Sequence, residues 1–190
     1  MKNTSQQRLA WAITGSGHYL RECLDIIHTL NNVDLFLSKA AAEVLQQYGY
    51  KHNVGKVFQD KTASSVPVEL FYLGHYHSLV IAPATSNTIA KMVCGISDNL
   101  VTNLYAQAGK TRVPSIIFAC DTAPELESEA PREHVVKVYP RNIDLENIAK
   151  IKTFEATTVV DDMQSLNANI QARLQAIVQT TVHATAQTKA

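Results

Sequence analysis

The chain has 190 residues, a length that favours one domain. Lysine plus arginine and aspartate plus glutamate each number 17, so the formal net charge is zero. That balance argues against nucleic acid as the main partner, because phosphate backbones are held by a basic excess. Apolar residues make up 46% and charged ones 18%, which excludes disorder for most of the chain and suits a surface partly covered by self-association.

The first predicted strand, Arg8 to Thr14, runs straight into Gly15-Ser16-Gly17. Leu20, Cys23, Leu24, Ile27 and Leu30 follow at helical spacing. Val33 to Ser38 reads as a second strand, and "KAAAEVLQQYG" as a helix closed by Gly49. Tyr50 to Ser65 is mixed and polar and takes no firm assignment. The third predicted strand, Ser78 to Ala84, is apolar on both faces, as inside a parallel sheet. Ile89, Met92, Val93, Ile96 and Leu100 then recur at helical steps, with a break near Gly95. Val113 to Cys120 is the fourth buried strand. A long connection, "DTAPELESEAPREH", leads to a strand "VVKVY", a short helix near Leu145 to Ile151, and a final amphipathic helix carrying Met163, Leu166, Ile170, Leu174 and Ile177. The end from Gln179 lacks periodicity and reads as a frayed tail. The alternation gives an α/β fold, Rossmann-like and doubly wound, with a mostly parallel sheet and helices on both faces. One domain spans residues 1–178, with the tail at 179–190.

No apolar run approaches the ~18 residues that span a bilayer, and the opening "MKNTSQQRLAWAIT" lacks a signal peptide's apolar core. Cys23, Cys94 and Cys120 lie far apart without a Cys-x-x-Cys pair, so neither a metal cluster nor a disulfide framework is expected. His75 and His77 flank Tyr76 with no third ligand in view. The expected setting is the cytoplasm, with no membrane, no nucleic acid and no metal.

In an open α/β sheet, ligands bind beyond the carboxyl ends of the strands. Four such ends here gather small and polar residues: Gly15, Ser16 and Gly17; Ser38 and Lys39; Thr85, Ser86, Asn87 and Thr88 in "APATSNT"; and Ala119, Cys120 and Asp121. Any one of them alone is ordinary turn chemistry. Thr85 and Asp98 read equally well as helix caps, and Cys120 as inert packing. Four together at one edge mark a ligand site. Gly15 and Gly17 allow a sharp turn into a helix start, which favours an anion. Leu20 replaces the third glycine of the dinucleotide fingerprint, and Ser38-Lys39 stands where an acidic residue would meet a ribose. The phosphate reading therefore stands and the standard NAD reading weakens. The donors and acceptors of "TSNT" suit a ligand with several edge heteroatoms, such as a flavin. The long connection after Asp121 is a lid candidate.

"IAPATSNTIAK" with the following Gly95-Ile96-Ser97-Asp98 resembles the superfamily of homo-oligomeric flavin-containing cysteine decarboxylases, which also holds flavin prenyltransferases, archaeal electron-transfer flavoproteins and dihydromethanopterin reductases. The run "LVTNLYAQAGKTRVPSIIFACDTAPELESEAP" is most similar to the bacterial dihydromethanopterin reductases. The resemblance implies FMN, with its phosphate near Gly15, Ser16, Gly17 and Ser38, and with Lys39 available to it. Its ring and ribityl chain would meet Thr85, Ser86, Asn87, Thr88 and Asp98, while Ala119, Cys120 and Asp121 would lie along the flavin and substrate side. Two decarboxylase features are absent. Val68 stands where those enzymes carry a histidine, and Phe118-Ala119-Cys120-Asp121 replaces their Pro-x-Met-Asn. The expected activity is an FMN-dependent reductase taking a hydride from NADH, NADPH or a reduced protein and passing it to a pterin. The product would be tetrahydromethanopterin for one-carbon metabolism, with Asp121 hydrogen-bonding the pterin. The alternatives are a flavin electron carrier without a small-molecule substrate, a decarboxylase relative, and a non-flavin nucleotide-binding module using the Gly15 to Gly17 turn for a different phosphate. The resemblance also implies an oligomer built from trimers.

Overall fold

The computed structural model describes residues 7–52, 54–61, 65–130 and 134–187. Six parallel strands form its sheet: β1 (Arg8–Ile13), β2 (Val33–Leu37), β3 (Lys56–Gln59), β4 (Tyr76–Ala84), β5 (Ser115–Ala119) and β8 (Thr157–Val160). The crossovers carry α1 (Leu20–Thr29), α2 (Lys39–Tyr48), α3 (Ser65–Tyr72), α4 (Ser86–Val93), α5 (Leu100–Lys110) and α6 (Asn142–Ile151), and α7 (Met163–Gln187) follows the last strand. A separate antiparallel ribbon, β6 (Leu126–Ala130) with β7 (His134–Val138), interrupts the connection from β5 to α6.

The sheet order is β3-β2-β1-β4-β5-β8. The chain builds outward from β1 to β3, then returns to the other side of β1 and builds outward again. The reversal falls between β1 and β4, and such a switch point opens a crevice at the carboxyl ends. Alternation along β1 sorts the core into two layers. Leu9, Trp11 and Ile13 pack with buried residues of α1, α2 and α7, including Cys23, Leu45 and Ile170. Ala10 and Ala12 face α3, α4, α5 and α6, where Phe71, Ile89, Leu104 and Ile148 close the second layer. Both faces of the sheet are therefore covered, which is why its central strands read as unbroken apolar runs.

The doubly wound expectation holds, and the details differ at the edges. The unassigned stretch after Tyr50 contains β3, a half-exposed edge strand, and ends at the start of α3. β8 was not expected either; its "TTVV" is short and only Val160 is buried. β4 begins at Tyr76, and β5 is trimmed to Ser115–Ala119. The lid candidate is the ribbon, and the expected strand "VVKVY" is its second arm rather than part of the main sheet. Residues 131–133 of that connection lie outside the described residues. The expected tail from Gln179 continues α7 through Gln187. Its sequence holds neither glycine nor proline to stop a helix, and a helix leaving the core needs no apolar stripe. Residues 1–6 and 188–190 lie outside the described residues. Among the described residues, no helix is long and apolar enough to cross a membrane.

Candidate functional site

Thr14 welds the switch point. It is 1% exposed, its hydroxyl donates to the Pro83 carbonyl at 2.8 Å, and the same oxygen accepts from the Thr85 amide at 2.9 Å. Its own amide also donates to Pro83, at 3.2 Å. The indole of Trp11 adds a bond to the Ala82 carbonyl at 2.8 Å. The ends of β1 and β4 are thus locked in register, and the segments beyond them diverge.

Into the gap come three helix starts, each with a polar cap. Ser38 caps α2, its Oγ accepting from the Ala41 amide at 3.0 Å. Thr85 caps α4, accepting from the Thr88 amide at 3.4 Å, with the two threonine hydroxyls 3.1 Å apart. Asn99 caps α5 in a reciprocal box with Thr102, at 3.1 and 3.3 Å. Each cap satisfies only some of the free amides of a helix start, so the positive ends of three helix dipoles converge. The result is a cleft of about 820 Å³. Gly15, Ser38, Lys39, Ala40 and Asp60 line one side of it, and Thr85, Asn87, Thr88, Lys91, Ser97, Asp98, Asn99 and Asn103 line the other.

Seven of the expected residues therefore meet in this cleft: Gly15, Ser38, Lys39, Thr85, Asn87, Thr88 and Asp98. The expected cap role of Asp98 belongs to its neighbour Asn99. Asp98 instead binds the Lys91 ammonium through both oxygens, at 3.0 and 2.7 Å. The Lys91 hydrogen bond, foremost among its contacts, holds the Asp98 carboxyl below its ordinary range. Lys39 makes no ion pair among the described residues.

Ser16, Gly17, Ser86, Ala119, Cys120 and Asp121 do not line the cleft. The two glycines serve helix packing. A Cβ on Gly15 would stand 2.5 Å from Ala40 Cβ, and one on Gly17 would stand 2.2 Å from the Tyr48 hydroxyl. Neither uses a left-handed backbone, and α1 starts only at Leu20, after a left-handed Tyr19. The expected sharp turn into a helix start is thus a close approach to α2. Ala119 is buried at the end of β5. Cys120 is buried too, and burial, foremost, pushes its thiol up to about 12, while the Ser16 hydroxyl bonds it. A buried thiol held neutral is a poor nucleophile.

Asp121 and Ser86 form a second polar group beside the cleft, the Ser86 hydroxyl donating to Asp121 Oδ2. Arg141 lies across from them. It binds buried Asp144 through Nε at 2.9 Å and Nη2 at 2.7 Å, and that bond, foremost, raises its affinity for its proton; Asp121 adds to it. Val135, Val136 and Tyr139 stand exposed on the connection, at 65, 42 and 66%.

Ala40, Asp60, Lys91, Ser97, Asn99 and Asn103 were not foreseen. Lys91 sits three residues beyond Thr88 and Asn103 four beyond Asn99, so helical spacing places both pairs on shared faces. Asp60 follows β3, in the stretch that carried no assignment.

Comparison with known proteins agrees with this geometry. The Flavoprotein family model matches residues 1–186. A dihydromethanopterin reductase (acceptor) of Methanosarcina mazei is 37% identical over 144 residues, covering 67% of this chain and 60% of its own length. The chain thus spans less than two thirds of that reductase. An uncharacterised protein of Methanocaldococcus jannaschii is 34% identical over 170 residues, covering 84% of this chain and 91% of its own. The crystal structure of Burkholderia xenovorans DmrB in complex with FMN, described as a cubic protein cage for redox transfer, shares 47% identity at a TM-score of 0.83, covering 90% of this chain and 97% of DmrB. A match over nearly the whole sequence, on a fold whose switch-point cleft suits a phosphate-bearing ligand with a polar ring edge, gives the family plainly: the chain belongs to the Flavoprotein family.

Proposed function

We propose that this protein is an FMN-dependent oxidoreductase that passes reducing equivalents to a pterin, reducing dihydromethanopterin to tetrahydromethanopterin. The observation that carries the cofactor is the switch-point cleft, where three helix starts converge between a side holding Lys39, in no ion pair among the described residues, and an opposite wall of hydroxyls and amides with the Lys91–Asp98 pair. The residues fit FMN. Its phosphate belongs at the start of α2, with Gly15, Ser38 and Lys39, and its ring and ribityl chain belong against Thr85, Asn87, Thr88 and Asp98. Ser16, Gly17, Ala119 and Cys120 do not line the cleft. FMN supplies the hydride chemistry when bound, and the chain supplies position and charge. The acceptor assignment rests on the Methanosarcina mazei reductase, and the complex of DmrB with FMN supports the cofactor.

In this reading Asp121 is the group that hydrogen-bonds the pterin. Ser86 fixes one carboxylate oxygen, and the pterin's amide and amino hydrogens offer a matching pair of donors. Asp121→Ala is expected to cut turnover far more than FMN affinity, and unchanged kinetics would end that assignment. The decarboxylase alternative loses ground because Val68, at the position of the decarboxylase histidine, is buried on α3 and brings no titratable group. The proposed donor is NADH, NADPH or a reduced protein. The protein is a cytoplasmic homo-oligomer built from trimers, with residues 1–178 as its flavin-binding domain.

The test is an absorption spectrum of the purified protein reconstituted with FMN, followed by anaerobic NADH or NADPH and then dihydromethanopterin. Flavin bands bleached by the nicotinamide and restored by the pterin are the expected result. A bound flavin that ignores the pterin would make the protein an electron carrier. Failure to hold FMN would end the flavin reading.

A further inference from the structure

The cleft holds its two lysines in opposite electrostatic settings. Lys39 makes no ion pair among the described residues, with Asp60 on the same side of the cleft, whereas Lys91 is bound by Asp98 at 3.0 and 2.7 Å. The Asn99 side chain adds a third bond to that carboxylate, at 2.9 Å. Lys91 and Asp98 are 28 and 51% exposed, so both reach the cleft wall. Ordinary structural duties at this place are already filled. Asn99 and Thr102 cap α5. The turn through Gly95 is closed by backbone bonds, from the Cys94 amide to Ala90, the Gly95 amide to Met92 and the Ile96 amide to Lys91. A salt bridge this exposed adds little to stability. Its remaining consequence is the field it sets in the cleft.

We propose that the Lys91–Asp98 pair sets the preference of the cleft for reduced over oxidised flavin. Lys91 favours the reduced ring and Asp98 restrains it. The inference rests on the flavin reading above. A phosphate is drawn to the start of α2, where Lys39 is in no ion pair among the described residues, which leaves the ring against the α4 and α5 wall. There the pair is the charged group among neutral hydroxyls and amides. Two electrons and one proton added to the oxidised ring leave it with one negative charge. A cation beside the ring therefore favours the reduced form, and an anion disfavours it.

The experiment is the midpoint potential of bound FMN, measured by dye equilibration with dithionite as the reductant, together with FMN affinity from flavin fluorescence. Lys91→Met is expected to weaken binding of reduced FMN roughly tenfold relative to oxidised, a fall of about 30 mV for a two-electron couple. Asp98→Asn is expected to shift the potential the opposite way, and the double variant to return towards the parent. Lys91→Arg should hold the parental potential, and Lys91→Gln serves if Lys91→Met does not fold. A merely structural clasp would move both single variants in the same direction or neither, and either result overturns the proposal. A parent protein that binds no FMN overturns the flavin reading, and this inference with it. Bound FMN with unmoved potentials overturns this inference alone.

Discussion

The two ends of the sheet treat polar residues in opposite ways. At the amino end, Asp34 is 1% exposed within β2, yet it accepts from the Tyr76 hydroxyl at 2.8 Å and from Arg8 Nε at 2.7 Å. Burial, foremost, pushes the Tyr76 hydroxyl far above its ordinary range. Arg173 reaches from α7 to Ser78 Oγ and the His77 carbonyl, each at 3.2 Å. Every one of these groups is answered by another part of the fold. At the carboxyl end the caps are satisfied as well, but Lys39, Asn87 and Asn103 face a cleft. Closed polar networks hold the fold together, and open ones hold something else.

The sharpest way to break this division is Asp34→Ala. It removes a buried charge that answers two donors, and is expected to lower the unfolding free energy by about 3 kcal/mol in urea titrations. The FMN affinity of the remaining folded protein should stay within about twofold. Loss of FMN from well-folded protein would show that the two ends are coupled.

A second test uses pH. Burial, foremost, and then the Arg173 charge lower the His77 pKa to about 4 from an ordinary 6.5. The folded state thus binds this proton less readily than the unfolded chain does. The associated stability is fully present above pH 6.5 and is lost as pH falls from 6.5 towards 4, with a slope of up to about 1.4 kcal/mol per pH unit. Denaturation curves across that window should flatten in His77→Gln.

The smallest expected effect on stability comes from the cleft. Gly15→Ala forces a methyl to 2.5 Å from Ala40 Cβ and displaces the first turn of α2. It should weaken FMN binding at least tenfold while costing about 1 kcal/mol of stability. Adding Ala40→Gly to the same chain should restore binding, because it clears the clash. Failure of that rescue would place the phosphate away from α2.

What sequence could show follows from the same contrast. Strands buried on both faces, such as Ser78 to Ala84, announce themselves as apolar runs, so the central sheet and its four polar ends were readable. β3 and β8 are short edge strands with exposed positions, and they give no such run. The second arm of the ribbon read as a sheet strand because an extended segment does not name its partner. Thr85 and Asn87 were visible because they follow a strand at once. Lys91, Ser97 and Asn103 reach the cleft only because α4 and α5 fold back across it, and that placement depends on tertiary packing. Gly15 and Gly17 were noticed for a turn they do not make, since their true constraint lies in α2.

The switch point has a consequence for synthesis. Strands β2 and β3 follow β1 directly, but the partner that completes the cleft, β4, is not translated until residue 76 and later. The far wall extends to Asn103. At ordinary elongation rates, roughly five to twenty seconds separate Gly15 from that residue. In that interval the chain already holds Gly15, Ser38 and Lys39 but lacks the opposite wall from Thr85 to Asn103. A ligand that bridges both walls therefore meets a complete site only once the second half has been made.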